Sequence, residues 1–175
     1  MGPNSDYLPI LQALHRLYQD ATIPNRLVAP DEAAAYWSLI AAFGDIGEAG
    51  RTIEVEINVL PGLSSAAEGI HIVQLFVPSL SLEGRSASME LLRFINRINL
   101  NLPIGSFFIV EDAGTICFKA NCIVDANQPA DWNAGYIDRN NGLLIYVHDL
   151  FLDALEAVVS DELSFEDAMQ RTSLL

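Results

Sequence analysis

Apolar residues recur along this chain with two different periods, and the places where the period changes mark its elements. Between Tyr7 and Tyr18, the positions Leu8, Ile10, Leu11, Leu14, Leu17 and Tyr18 return every three or four residues, which predicts an amphipathic helix. Pro24 and Pro30 then bracket an extended piece over 25–29, because the residue before a proline is pushed out of the helical region. Asp31 is a good N-cap, and the alanine-rich stretch 32–43 behind it predicts a second helix, stopped at Gly44. The glycine-rich stretch 44–50 reads as a loop.

The clearest strand follows. Ile53, Val55, Ile57 and Val59 alternate with Glu54, Glu56 and Asn58, which predicts one buried and one wet face. Residues 61–69 read as a loop and 70–77 as a second, more apolar strand, and 78–84 release the chain into a helix over 86–101. That helix sets Leu91, Leu92, Ile95, Ile98 and Leu102 on one stripe, with Arg93 and Arg97 four apart on its flank. Pro103 and Gly105 stop it. Strands over 107–110 and 116–123 are joined by Glu111, Asp112, Ala113 and Gly114, a short turn with its glycine late. A long polar loop, 125–141, is expected next, with Trp132 and Tyr136 inside it. Residues 143–159 form a helix that is apolar nearly all round, which calls for deep burial or a partner. Ser164 to Asp167 resembles a capping box opening a last short helix.

Strand pairs joined by short turns and interleaved with helices specify an α+β fold, a mostly antiparallel sheet with helices packed on it. The 175 residues suit a single domain, 1–175, whose first 50 residues read as helical. With 51% apolar and 18% charged residues, the composition is that of a packed globular protein. No apolar run approaches the ~20 residues of a membrane-spanning helix. Met1 to Asp6 lack the basic-then-apolar order of a secretory signal, and Pro3 and Asp6 do not fit a myristoylation site, so a cytoplasmic protein is expected. Cys117 and Cys122 differ in parity along one strand and point to opposite faces, so two free thiols are expected.

The charge narrows the partners. With 23 acidic and 9 basic residues the net charge is −14, a surface that repels phosphate backbones and favours basic peptides. Seven acidic and no basic residues fall between Asp149 and Asp167, whereas Arg85, Arg93 and Arg97 gather on the central helix. Such patches meet within a monomer or across a symmetric dimer.

The block from Met89 to Ala120 joins a helix rich in Leu, Ile and Asn through Leu102-Pro-Ile-Gly105 to a Phe-rich strand, an acidic glycine turn and an apolar strand. In this it resembles the YbjN-like group of bacterial sensory-transduction regulators, which share the fold of the type III secretion chaperones. The resemblance covers about residues 80–159. It implies a helix–sheet–helix α+β domain, often dimeric, that binds or regulates other proteins and has no catalytic residues to carry over. The first 50 residues, with their additional alanine-rich helix, depart from that group's compact pattern.

Candidate chemistry is sparse. His15, His71 and His148 are scattered, without metal-ligand spacing, and no cofactor or metal is expected. His148 with Asp149 and Asp153 reads as a solvated helix face. Cys117 has Lys119 on its own face but no local nucleophile signature. Glu54 and Glu56 are read as facing water. Glycines 44, 47 and 50 have the wrong spacing for a phosphate loop. Binding fits better than chemistry: Trp132 and Tyr136 either cap the edge of the protein's own core or have the character of interface anchors, and Arg93 and Arg97 offer a cationic strip. The expectation is a non-enzymatic protein-binding or chaperone-like regulator, a homodimer that holds a protein or basic peptide on a sheet or helix face and binds neither nucleic acid nor membrane. The alternative is an enzyme or small-ligand protein with a site assembled from Cys117, His148 and the loop 125–141. A third reading is a structural subunit whose 143–159 helix completes an oligomer core.

Overall fold

The structure, a computed structural model, describes residues 6–32, 34–60 and 68–172. The predicted first helix is α1 (Leu8–Asp20), which buries Ile10, Leu11, Leu14 and Tyr18 and leaves Leu17 outside. The piece between the two prolines is a short strand, β1 (Asn25–Val28). The alanine-rich helix expected over 32–43 is not present: Ser38–Ile46 is a strand, β2, paired to β1 on one side and to β3 (Arg51–Val59) on the other. From Leu39 to Phe43 its apolar side chains alternate inward and outward, and two ladders of backbone hydrogen bonds outweigh alanine's small helical preference. Asp31 does cap, but it caps a local turn, accepting from Ala34 N–H at 2.9 Å. The expected 44–50 loop shrinks to a turn at 47–50, since a bulge between Phe43 and Ile46 lets β2 run on.

Strand β4 (Ile70–Ser81) passes Pro78, where it was expected to end. A bulge between Pro78 and Leu80 absorbs the proline's missing donor. Helix α2 (Met89–Asn99) starts on Ser88, whose hydroxyl accepts from Leu91 N–H at 3.1 Å. It buries Leu91, Phe94, Ile95 and Ile98, so Phe94 takes the inward place predicted for Leu92. The hairpin of β5 (Ser106–Val110) and β6 (Thr115–Asp125) turns through a short 3-10 segment at Glu111–Ala113, with Gly114 left-handed at φ 56°. The loop expected over 61–69 lies, apart from Glu68 and Gly69, outside the described residues.

The largest correction concerns 125–141. Helix α3 (Ala130–Val159) already begins at Ala130 and runs for 30 residues. The N–H groups of its buried asparagine amides are engaged: that of Asn133 donates to Asp125 O at 2.9 Å, and that of Asn141 to the Tyr18 hydroxyl at 3.0 Å. The N-cap half of the expected capping box is present at α4 (Phe165–Arg171), where Ser164 Oγ accepts from Asp167 N–H.

The fold is thus α+β, with a six-stranded antiparallel sheet in the order β1-β2-β3-β4-β6-β5. Alternate residues, among them Leu39, Val55, Ile57, Val73, Leu75, Phe118 and Cys122, face the helices and form the core with Leu14, Leu144, Leu152 and Leu155. The opposite face carries no helix among the described residues.

Candidate functional site

Four side chains were expected to serve binding, and the structure separates them into two pairs. Trp132 and Tyr136 lie in the first turns of α3, not in a loop, with rings stacked at 5.9 Å and planes 4° apart. Helix α1 flanks them, tied to α3 by Arg16–Asp131 at 3.4 Å. Arg93 and Arg97 are on α2. Arg93 is a clamp inside the protein: its guanidinium lies 4.1 Å over the Phe165 ring and 3.5 Å from Glu166, holding α4 to α2. Arg85 likewise reaches Asp161 at 3.9 Å, so the arginines and the acidic C-terminal stretch meet within one chain. Arg97 is exposed and forms no ion pair among the described residues.

The distant-residue alternative is not assembled. His148 was read as part of a solvated face, yet it is fully buried, with Nε2 2.9 Å from Ser79 Oγ and its ring against Phe107 and Phe118. Burial pushes its pKa down to about 4, against the opposing pull of Asp149. Asp149 and Asp153 instead hold the β2–β3 turn, accepting from Gly47 N–H at 2.6 Å and Glu48 N–H at 2.8 Å. A Cβ on Gly47, left-handed at φ 69°, would stand 2.7 Å from Asp153 Oδ1. Cys117 belongs to the other side of the sheet from His148, and burial raises its thiol pKa. The 125–141 loop that completed this alternative is mostly helix. Both cysteines are free and buried. Among the described residues no cluster of His, Cys, Asp and Glu is arranged to hold a metal, and no helix is long and apolar enough to cross a membrane.

The helix-free face of the sheet is mixed. Ile40, Ile72, Phe76, Phe108, Val110 and exposed Ile123 share it with Glu54, Glu56, Asn58, Gln74 and Lys119. Glu54 faces water as expected, whereas Glu56 is half-buried and accepts from Ser38 Oγ at 2.9 Å. Asn58 is buried rather than wet, and its Oδ1 has no partner among the described residues. The Lys119 ammonium, 5.1 Å from the centre of the Phe108 ring, is the chain's only lysine.

At the sheet's β5 edge a groove of about 630 Å³ opens. Leu82, Leu92 and Ile109 give it an apolar lining, and Glu111 and Asp112 line it as well, together with Arg85, whose charge is drawn toward Asp161. Asn99 governs the edge beside it. Its amide donates to Phe107 O and its Oδ1 accepts from Phe107 N–H, both at 2.8 Å. Phe107 therefore turns its backbone groups away from β6, and Ile109, two residues on, does the same into the groove. One pair of outward backbone groups thus remains where the apolar and the acidic parts of the lining meet. Sequence reasoning missed this groove because its parts lie on separate elements and because Leu92 was assigned to the core stripe of α2, whereas the structure leaves it outside.

Comparisons of this chain with family models, with curated proteins and with solved structures return no match.

Proposed function

We propose that this protein is a cytoplasmic, non-enzymatic binder of protein segments, a chaperone-like regulator that holds an extended stretch of a partner in the α2–β5 groove. The observation that carries the reading is the coincidence of free strand edge, apolar lining and acidic side chains at Ile109. A segment laid there pairs its backbone with Ile109, as strands added to sheet edges do, and sets an apolar side chain against Leu82 and Leu92. A lysine or arginine beside it meets Glu111 and Asp112, in keeping with a net charge of −14. The resemblance of residues 80–159 to the YbjN-like regulators, with their secretion-chaperone fold, adds the expectation of a dimeric regulator, and an α+β fold with an antiparallel sheet is compatible with it.

A photo-crosslinking side chain placed at Leu92 tests this against a library of short unstructured peptides. Captured peptides are expected to combine an apolar residue with a basic one. The double substitution Glu111→Lys and Asp112→Lys is expected to weaken their binding by about tenfold or more. Capture that ignores peptide charge, or that survives the double substitution, would overturn the reading.

A further inference from the structure

Helix α3 carries a ridge that the fold leaves largely uncovered, with only Tyr136 partly buried against the core. Trp132, Tyr136, Arg139, Leu143, Tyr146 and Leu150 are spaced four, three, four, three and four residues apart, the repeat of a coiled-coil seam. Trp132 is 52% exposed, Leu143 42%, Tyr146 59% and Leu150 37%. Apolar side chains of this size, held in a row on a rigid helix, form an interaction surface rather than scattered surface residues.

Two glycines point the same way. Gly135 and Gly142 flank the ridge one heptad apart, inside a helix where each costs about 1 kcal/mol relative to alanine. A Cβ at Gly142 would meet nothing within 4 Å, and at Gly135 only the tip of Arg139 at 3.8 Å. Nothing in the monomer requires either glycine. A second helix approaching closely along the ridge does.

We infer that this ridge pairs with the same ridge of a second copy, the two α3 helices running antiparallel. The spacing reads identically in both directions about Asn141, so a two-fold axis there matches every seam residue. Arg139 then meets Leu143 of the second copy, Tyr136 meets Tyr146, and Trp132 meets Leu150. Tyr146 and Leu150 of that copy also enter the groove of about 320 Å³ between α1 and α3, where Leu17 and Gly135 lie. The charge pattern allows the same partner: in a chain of net charge −14, the six seam positions hold no acidic side chain and one arginine, and the flanking α1–α3 groove sets Arg16 beside Asp20 and Asp131. Trp132 and Leu150 are 18 residues apart, about 27 Å along the helix. Twelve large side chains over that length reach the lower bound of a stable dimer interface, about 1,200 Å². This deepens the dimer element of the proposed function, while the peptide groove lies elsewhere and fails or stands separately.

Light scattering on the full chain at micromolar concentration is expected to give twice the 19.1 kDa of one copy. Tyr146→Asp and Leu143→Asp, both at exposed positions, are expected to give a single-copy mass with an unchanged far-UV circular dichroism spectrum. Gly142→Gln is expected to raise the dimer dissociation constant about tenfold or more without lowering the melting temperature. An equimolar mixture of Trp132→Cys and Leu150→Cys chains is expected to form an intermolecular disulfide that neither variant forms alone. A single-copy wild type, a dimer untouched by both aspartates, or Trp132→Cys chains crosslinking to each other would overturn the inference. Peptide capture measured on the Tyr146→Asp monomer reads the groove independently.

Discussion

The two faces of the sheet are built from the same six strands and differ in nearly everything else. On the helix side, Val55, Ile57, Val73, Leu75 and Phe118 are sealed beneath α1, α2 and α3. On the other side, neighbours in the same strands are Glu54, Glu56, Gln74 and Phe76, and the apolar members are only partly buried apart from Cys117, with Ile123 exposed. One face supplies the stability of the domain, and the other contributes little to the monomer and tolerates polar substitution. The difference teaches that alternation alone assigns residues to faces, while the helices decide which face becomes the core.

The comparison is sharpened most by substitutions in β6, where adjacent positions belong to opposite faces. Phe118→Ala, which empties a place between Phe107 and His148, is expected to cost about 3–5 kcal/mol in chemical denaturation. His148 makes the same face sensitive to pH. Its pKa is about 4 in the fold and near 6.5 when unfolded, so the unfolded chain binds the proton first. Its stabilisation is complete above pH 6.5 and is lost as pH falls through about 4, roughly 3 kcal/mol in all. His148→Leu should flatten that part of the stability–pH curve, apart from a smaller slope of the same sign from His71, whose pKa burial also lowers. At the boundary between the faces, Asn99→Ala strands the two backbone groups of Phe107 and is expected to cost about 1–3 kcal/mol. Ile123→Thr, on the helix-free face, is expected to change stability by less than about 0.5 kcal/mol. A large loss from Ile123→Thr would break the comparison outright.

Much of this fold was legible in the chain. Helix α1, strand β3, the β5–β6 hairpin, helix α2 and the Ser164 cap each carry a local signal that agrees with their tertiary surroundings. Strand β2 was not legible, because the alanines before and within it, Ala41 and Ala42 among them, read as helical, and only the ladders to β1 and β3 override that preference. The first turns of α3 were hidden by composition: Asn133, Gly135, Asn140, Asn141 and Gly142 look like loop residues. In the fold, Asn133 and Asn141 are buried donors, and the glycines lie beside an exposed ridge. Trp132 and Tyr136 were singled out as aromatics of a polar loop; in the fold Trp132 is exposed and Tyr136 partly buried on a helix, and with that helix unseen, their continuation through Tyr146 and Leu150 could not be read. Arg93 had the opposite fate, since its partners Phe165 and Glu166 lie more than 70 residues away and only folding brings them together.

The two hydrogen bonds from Asn99 to Phe107 have one more consequence. A sheet that ends in an open strand is a template on which further copies can polymerise, each new strand completing the last. By occupying Phe107 with a side chain from its own α2, the protein leaves a single residue, Ile109, with both backbone groups turned outward at that end. A short peptide can dock on one such residue, but a strand from another molecule finds no continuous register to extend. The same asparagine that satisfies Phe107 therefore leaves this edge of the sheet a poor template for fibre growth.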